Sequence, residues 1–180
     1  DGDVIHKRQL EKLIQAGALD SLYQNRSFLF NNVVNFVQIF GGTKLVSTKQ
    51  SSFFEDIKIN LEDKKIFNHS IDLWPSSIQL NNELEVIGFY FSDHPLSSYP
   101  NKFFQEIGVI DYEKIILDKN IQQAKLIGSI LDIKERSNKD GKKYAFITVS
   151  NLNYQFELSI FNDLIIKYKD LLKEGNVLLF

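Results

Sequence analysis

The chain has 180 residues, a formal net charge of −2 and a hydrophobic content of 43%, which allow one large domain or two small ones with an ordinary core. A pI of about 5.9 excludes a uniformly basic nucleic-acid coat, so a polyanion would have to bind a local patch. Cysteine is absent, which excludes disulfides and thiolate metal sites. With no bilayer-length apolar run or secretory leader, we expect a cytoplasmic protein, and the absence of Met and the apolar residues 177–180 lead us to expect a piece of a longer one.

The first two thirds of the chain are predicted to be mainly helical. A short helix with Leu10, Leu13 and Ile14 on one face is expected to end near Gly17. A second helix should end at Gly41-Gly42, and its apolar face is Leu29, Val33, Phe36, Val37 and Phe40. Helical spacing returns after Trp74-Pro75, at Leu80, Leu84, Ile87 and Phe91.

Residues 43–60 form a long polar connection between these helices and are predicted to be mobile. This connection contains the pentapeptide Gln50, Ser51, Ser52, Phe53 and Phe54. Two adjacent aromatic residues in a solvated loop need another surface to bury them, and an amide followed by an apolar pair is a common docking device. We predict a docking peptide; the alternative is that both rings fold back onto helices of the same chain.

Near Ile121 the apolar period changes from helical to alternating, and we place a domain boundary there. Strands are predicted over residues 125–135 and 142–149, joined by a two-residue hairpin at Asp140-Gly141, and a third strand follows. Asn162 is expected to cap a helix before a fourth strand begins at Asn176. The predicted fold class is α+β with two domains: a mainly helical N-terminal part and a truncated five-stranded OB-type Greek-key barrel without its last strand.

The first hairpin of this barrel is the densest basic region in an acidic chain. Its candidate contacts to a single nucleic-acid strand are Lys134, Arg136, Lys139, Lys142, Lys143, Tyr144 and Phe146. The alternatives are a solvated hairpin tip for the basic residues and a place in the barrel core for Tyr144 and Phe146. Asp93-His94-Pro95 is predicted to be a rigid corner, and His6 and His69 lack metal-ligand spacing, so we expect no catalytic, metal or cofactor site.

Three stretches, residues 4–22, 84–99 and 134–161, resemble in the correct order the C-terminal region of the alpha-subunit family of bacterial DNA polymerase III. The most specific stretch is EVIGFYFSDHPL at residues 85–96. The resemblance implies the end of a helix-hairpin-helix element and a following helix at 1–42, a loop with a sliding-clamp-binding motif at 43–60, a helical region at 61–120 and a truncated OB domain at 121–180. Clamp motifs of the form Gln-x-x-apolar-Phe match Gln50, Phe53 and Phe54.

The resemblance implies a non-catalytic segment of a replicative DNA-directed DNA polymerase. Such a segment would bind the sliding clamp through the loop peptide and single-stranded template DNA through the OB domain, beside other replicase subunits and away from membranes. The family's Mg²⁺-dependent polymerase site would lie outside this chain. Two alternatives stay open: a stand-alone RNA- or tRNA-binding adaptor and a protein-interaction module. The chain departs from the family at the second strand corner, where Asn153-Tyr154 replaces the usual Ser-Gly type of pair.

Overall fold

The structure, a computed structural model, describes residues 6–41, 67 and 70–180. The chain divides into two compact units, Asp1–Ile87 and Gly88–Phe180. The boundary near Ile121 and the four segment bounds expected from the sequence stay predictions. The predicted docking peptide, from Gln50 to Phe54, lies outside the described residues.

The described part of the first unit is helical, and its helices pack around aliphatic and aromatic side chains. The helices are α1 (Lys7–Gln15), α2 (Arg26–Asn31), α3 (Val33–Gly41) and α4 (Ser76–Ile87). The buried cluster consists of Leu10, Ile14, Phe28, Leu29, Val33, Phe36 and Phe67. Leu10 and Ile14 lie one helical turn apart, as predicted, whereas Leu13 is 40% exposed at the edge of that face.

Two of the helix predictions need correction. The helix expected from Leu29 to Phe40 is interrupted at Asn32, whose buried side-chain amide donates to the Phe28 carbonyl oxygen at 2.9 Å. Because Asn32 has φ −103° and ψ 7°, the backbone leaves the helical region for one residue and restarts as α3. Helix α4 ends at Ile87, so Phe91 lies beyond it and is 66% exposed.

A buried ion cluster joins α2 to α4 and to the turn after α1. Arg26 is 3% exposed; its guanidinium binds Glu83 Oε1 at 2.7 Å and both carboxylate oxygens of Asp20 at 2.6 and 2.8 Å. The hydrogen bonds that Arg26 donates to Asp20 raise the pKa of the guanidinium despite its burial, and Glu83 adds to this effect. Gly17 has φ +80°, and a Cβ there would lie 2.6 Å from Arg26 Cζ, so only glycine leaves room for the guanidinium.

The second unit is built on an antiparallel sheet. Its elements are a 3-10 helix (Pro95–Ser98), α5 (Asn101–Glu106), α6 (Tyr112–Leu117), β1 (Ile127–Ser137), β2 (Lys143–Ser150), β3 (Gln155–Phe161), α7 (Asn162–Tyr168) and β4 (Val177–Leu179). The sheet has the order β3-β2-β1-β4 and curls into a half-barrel. The α+β class and the sequence of three strands, a helix and a returning strand are confirmed; the described residues contribute four strands to this sheet.

The core of the second unit lies on one side of the sheet. Ala145, Ile147 and Val149 alternate along β2 and are each at most 1% exposed, which confirms the predicted alternation. They pack with residues from the neighbouring strands and helices, among them Leu126, Ile130, Phe156, Leu158, Ile160 and Tyr112. At Gly128 the strands approach closely, because a Cβ there would overlap Val149 and lie 2.7 Å from the Ser150 carbonyl oxygen.

Two local predictions in the sheet are wrong in detail. The β1–β2 connection is a three-residue loop, residues 139–141, because Asn138 donates its backbone N–H to the Lys142 carbonyl oxygen at 2.9 Å. Asn138 Oδ1 also accepts the N–H groups of Asp140 and Lys142, which closes the loop. Asn162 is the first residue of α7, and the cap position belongs to Phe161.

Candidate nucleic-acid interface

The side of the sheet opposite the core, here called the open face, carries cations and aromatic rings in register. Cross-strand partners in an antiparallel pair point to the same side, so the pairings of β1 with β2 and of β2 with β3 define four rows. The three rows nearest the hairpin form the open face and are Arg136/Tyr144/Phe161, Lys134/Phe146/Ser159 and Asp132/Thr148/Glu157; in the fourth row Ser129 and Ser150 are buried. The open face therefore runs from a basic and aromatic end near the hairpin to an acidic end.

A β-bulge places the cations on this face. The register between β1 and β2 shifts between Ile130, which pairs with core residue Val149, and Asp132, which pairs with Thr148. Leu131 is the extra residue, and it reverses the alternation of every later residue in β1. Without it, even-numbered residues of β1 would continue on the core side together with Ile130.

The aromatic side chains of the open face are wholly or partly accessible, with Tyr144 and Phe146 half-buried. Phe161 is 66% exposed, and the rings of Tyr144 and Phe146 lie 5.6 Å apart, edge to face at 89°. Because every base has a π-face, such rings form platforms on which single-strand bases stack without regard to sequence. Phe146 points away from Ala145 and Ile147, so the alternative that it belongs to the barrel core is not supported.

The two cations of the open face differ in how close they lie to carboxylates. Lys134 binds Asp132 through Nζ and Oδ2 at 2.9 Å, and this hydrogen bond, followed by the charge of Asp132, raises the pKa of the lysine. Glu157 also contributes to this rise. Arg136 lies one row further from the acidic residues, beside Tyr144. Arg136 is thus the cation of the face best placed to meet a phosphate.

Three of the predicted basic residues do not lie on the open face. Lys139 belongs to the hairpin loop, Lys142 closes that loop just before β2, and Lys143 pairs with Ser137 one residue out of phase with Tyr144. Lys143 accordingly points to the other side, where its Nζ lies 3.9 Å from a carboxylate oxygen of Glu135. The structure brings Lys134, Arg136, Tyr144 and Phe146 together and leaves these three lysines at the hairpin tip or behind it.

Sequence reasoning missed Phe161 as part of this face. The signal is present in the sequence, because Phe156, Leu158 and Ile160 alternate along one face of β3, and a residue next to Ile160 must face the opposite way. Ser159 and Glu157 follow from the same alternation.

The stretch that is most specific in the resemblance fixes a corner against the sheet. Tyr90 donates or accepts a hydrogen bond with Ser129 at 2.7 Å, and His94 Nε2 bonds to Ser150 Oγ at 3.0 Å. Ser129 and Ser150 are cross-strand partners in β1 and β2, at most 5% exposed. The rings of Tyr90 and His94 lie 5.2 Å apart, edge to face.

His94 uses both ring nitrogens in this corner. Nδ1 accepts the Leu96 N–H at 3.1 Å at the start of the 3-10 helix, so the neutral ring carries its proton on Nε2 and donates it to Ser150. Burial lowers the pKa of His94, against the opposing charge of Asp93. Asp93 accepts hydrogen bonds from the Ser97 side chain and from the His94 N–H, and both lower the pKa of Asp93. This is the rigid corner that the sequence predicts.

A cavity of about 400 Å³ lies beside this corner, lined by Tyr90, Asp93 and His94 and by the β2–β3 turn at residues 150–155. Asn151 organises that turn, because its Oδ1 accepts the N–H groups of Asn153 and Tyr154 at 3.0 and 2.7 Å. Within residues 6–41, 67 and 70–180, no group of three or more His, Asp or Glu is arranged to hold a metal ion. The same residues include no helix of the length and apolarity needed to cross a membrane.

The second unit is a curled antiparallel sheet whose open face carries cations and aromatic rings, and the described part of the first unit is helical. The chain is similar along nearly its whole length to the DNA polymerase III alpha subunits of three bacteria. The identities are 28% over 99% of the chain for Buchnera aphidicola, 29% over 98% for Campylobacter jejuni and 29% over 99% for Borreliella burgdorferi. The resemblance read from the sequence is confirmed.

The chain spans only 15–16% of the length of these relatives. None of the protein-family models matches it. The chain therefore matches a short segment of these DNA polymerase III alpha subunits, and most of their length has no counterpart in it.

Proposed function

We propose that this chain is a non-catalytic segment of a replicative DNA polymerase alpha subunit and that its half-barrel is an OB domain that holds single-stranded template DNA on the open face. The observation that carries the proposal is the row of Arg136, Tyr144 and Phe161 beside Lys134 and Phe146 on one accessible side of the sheet. The strand order supports the OB assignment, because an OB barrel also pairs its first strand with the second and fourth. Bond formation, with its Mg²⁺, would belong to the rest of such a subunit.

The test is the salt dependence of binding to a fluorescent single-stranded DNA, measured by anisotropy from about 50 mM to about 300 mM salt. Each phosphate contact made by a cation adds about 0.7 to the slope of log affinity against log salt for a single strand. Arg136→Gln is expected to weaken binding and to reduce this slope by about that amount.

Lys143→Gln is the matched control, because Lys143 lies in the same hairpin and points to the other side of the sheet. It should change the slope much less than Arg136→Gln. Equal effects of the two substitutions would contradict the open face as the phosphate site. Absence of DNA binding by the folded wild-type chain would refute the proposed binding of single-stranded DNA.

The same titration separates the two alternatives. An RNA of the same sequence that binds more tightly than the DNA would favour an RNA- or tRNA-binding adaptor, since only RNA offers the 2′-hydroxyl. A folded chain that binds neither nucleic acid would favour a protein-interaction module.

The second part of the proposal is that the peptide from Gln50 to Phe54 binds a sliding clamp. It is supported by the motif and by the similarity of the chain to DNA polymerase III alpha subunits. Burial of a phenylalanine ring contributes about 1.5–3 kcal/mol, and the Gln50 amide would fix the register. Phe53→Ala with Phe54→Ala is expected to abolish binding to purified clamp in a surface-plasmon-resonance assay.

A matched control for the clamp assay is Ser51→Ala with Ser52→Ala, which alters the variable positions of the same peptide. This variant should bind the clamp like the wild type, and the circular dichroism of both variants should be unchanged. Clamp affinity that survives the double phenylalanine substitution would refute the peptide as the clamp contact. Two weak attachments, to the clamp and to the template, would together raise avidity through effective concentration.

A further inference from the structure

The acidic row lies at the end of the open face away from the hairpin, and its charges oppose the proposed binding of a polyanion. Asp132 and Glu157 flank Thr148 in this row. Successive rows on one side of a sheet are two residues apart, about 7 Å along the strands. A phosphate over the middle row would therefore lie within a Debye length of both carboxylates, about 8 Å at physiological salt.

Asp132 also neutralises the nearest cation. Its contact of 2.9 Å with Lys134 commits that ammonium group to an ion pair on the protein. The middle row consequently offers the ring of Phe146 but little net positive charge, whereas the hairpin row offers Arg136 and two accessible rings.

We propose that the nucleic-acid site covers only the hairpin end of the open face, that Phe161 is its third stacking ring, and that Asp132 and Glu157 terminate it. This inference rests on the proposed single-strand binding and specifies the extent and the strength of that site. The bound segment is short, about four nucleotides, at the lower end of the range for OB domains. Binding is weak by construction, because the acidic row repels any phosphate beyond that segment.

The acidic limit is tested by removing the carboxylate of Glu157. Glu157→Gln is expected to raise the affinity for an oligo-dT of about twelve nucleotides roughly threefold, the size expected when one exposed like charge is removed. Affinity per site in the wild type should stop rising at about four nucleotides in a length series, and in Glu157→Gln it should continue to rise with longer strands.

The control is Glu135→Gln. Glu135 lies in β1 on the opposite side of the sheet, beside Lys143, so its substitution changes the net charge equally without touching the open face. It should leave both the affinity and the length series unchanged. Equal gains for Glu157→Gln and Glu135→Gln would overturn the acidic limit, since they would show an effect of net charge alone.

The role of Phe161 is tested with Phe161→Leu, which keeps an apolar side chain before α7 but removes the flat ring. It is expected to lower the affinity about fivefold, because stacking of one base is lost. Phe91→Leu is the matched control, since Phe91 is also 66% exposed but belongs to none of the strands and lines the cavity beside the Tyr90–His94 corner. Equal losses for the two substitutions would overturn the assignment of Phe161, and melting curves would verify that each variant is folded.

The outcomes distinguish this inference from the function on which it rests. If the wild type binds single strands but Glu157→Gln matches Glu135→Gln and Phe161→Leu matches Phe91→Leu, only the extent of the site is refuted. If neither the wild type nor Glu157→Gln binds, the single-strand function and this inference are refuted together.

Discussion

The buried ion cluster of the first unit predicts a large and specific loss of stability for Glu83→Gln. Glu83 is fully buried and accepts a hydrogen bond from Arg26 at 2.7 Å, while Arg26 is 3% exposed. Removing one partner of a buried pair costs about 3–5 kcal/mol, because the other charge stays desolvated. Asp20 remains bound to Arg26 in this variant, so we expect the lower end of that range, about 3 kcal/mol.

The assay is urea unfolding followed by tryptophan fluorescence. The chain contains a single tryptophan, Trp74, which lies in the first unit with its ring 5.5 Å from that of Phe30, so its fluorescence reports on that unit. With an m value of about 1 kcal/mol/M for a unit of this size, a loss of about 3 kcal/mol lowers the midpoint by about 3 M urea. The control is Glu11→Gln at the exposed Lys7–Glu11 pair, which should cost about 0–1 kcal/mol.

A double substitution tests whether the unpaired charge of Arg26 causes the loss of stability. Replacing both charges with apolar side chains, Arg26→Met with Glu83→Leu, removes the uncompensated charge and should cost less than Glu83→Gln alone. Asp20 keeps access to water, because its side chain is 38% exposed. A Glu83→Gln midpoint equal to that of Glu11→Gln, or a double variant less stable than Glu83→Gln, would show that the desolvated Arg26 charge does not control the stability of this unit.

Two further predictions concern the second unit. Gly128→Ala should destabilise the sheet by about 3 kcal/mol, since the added methyl overlaps Val149 and meets the backbone of β2; amide hydrogen exchange would measure this, and a loss below about 0.5 kcal/mol would contradict it. Burial lowers the pKa of His94 below its ordinary value of about 6.5, so the unfolded chain binds the proton more readily. Its contribution to stability is therefore complete above about pH 6.5 and is lost as the pH falls through the lower folded-state pKa. His94→Gln should reduce the difference in melting temperature between about pH 7.5 and about pH 5, and an unchanged difference would contradict this role.

Much of the fold could be predicted because burial leaves a periodic trace in the sequence. The core side of β2 was visible as Ala145, Ile147 and Val149, and the helical face of α1 as Leu10 and Ile14. These residues are apolar and regularly spaced, so local pattern and tertiary burial agree. The positions of Tyr144 and Phe146 on the open face followed from the same alternation.

The features that escaped prediction depend on contacts between distant parts of the chain. Arg26 and Glu83 are 57 positions apart, and charged residues of these types are usually exposed, so the sequence gives no reason to bury them as a pair. The break at Asn32 was hidden for a related reason: the surrounding apolar residues keep helical spacing across it, while one buried amide redirects the backbone. Apolar periodicity indicates which residues are buried, but it does not indicate the hydrogen-bond partners of a polar group among them.

The candidate interface shows the same division between local pattern and tertiary contact. A continuous alternation through β1 would have placed Lys134 and Arg136 on the same side as Ile130, and these cations would then have faced the apolar core. The single extra residue, Leu131, lets one strand contribute Ile130 and Ile133 to the core and still present both cations beside Tyr144 and Phe146. The bulge therefore has two effects. Leu131 keeps the apolar residues of β1 in the core, and it also places the cations of β1 beside the aromatic rings on which the proposed function depends.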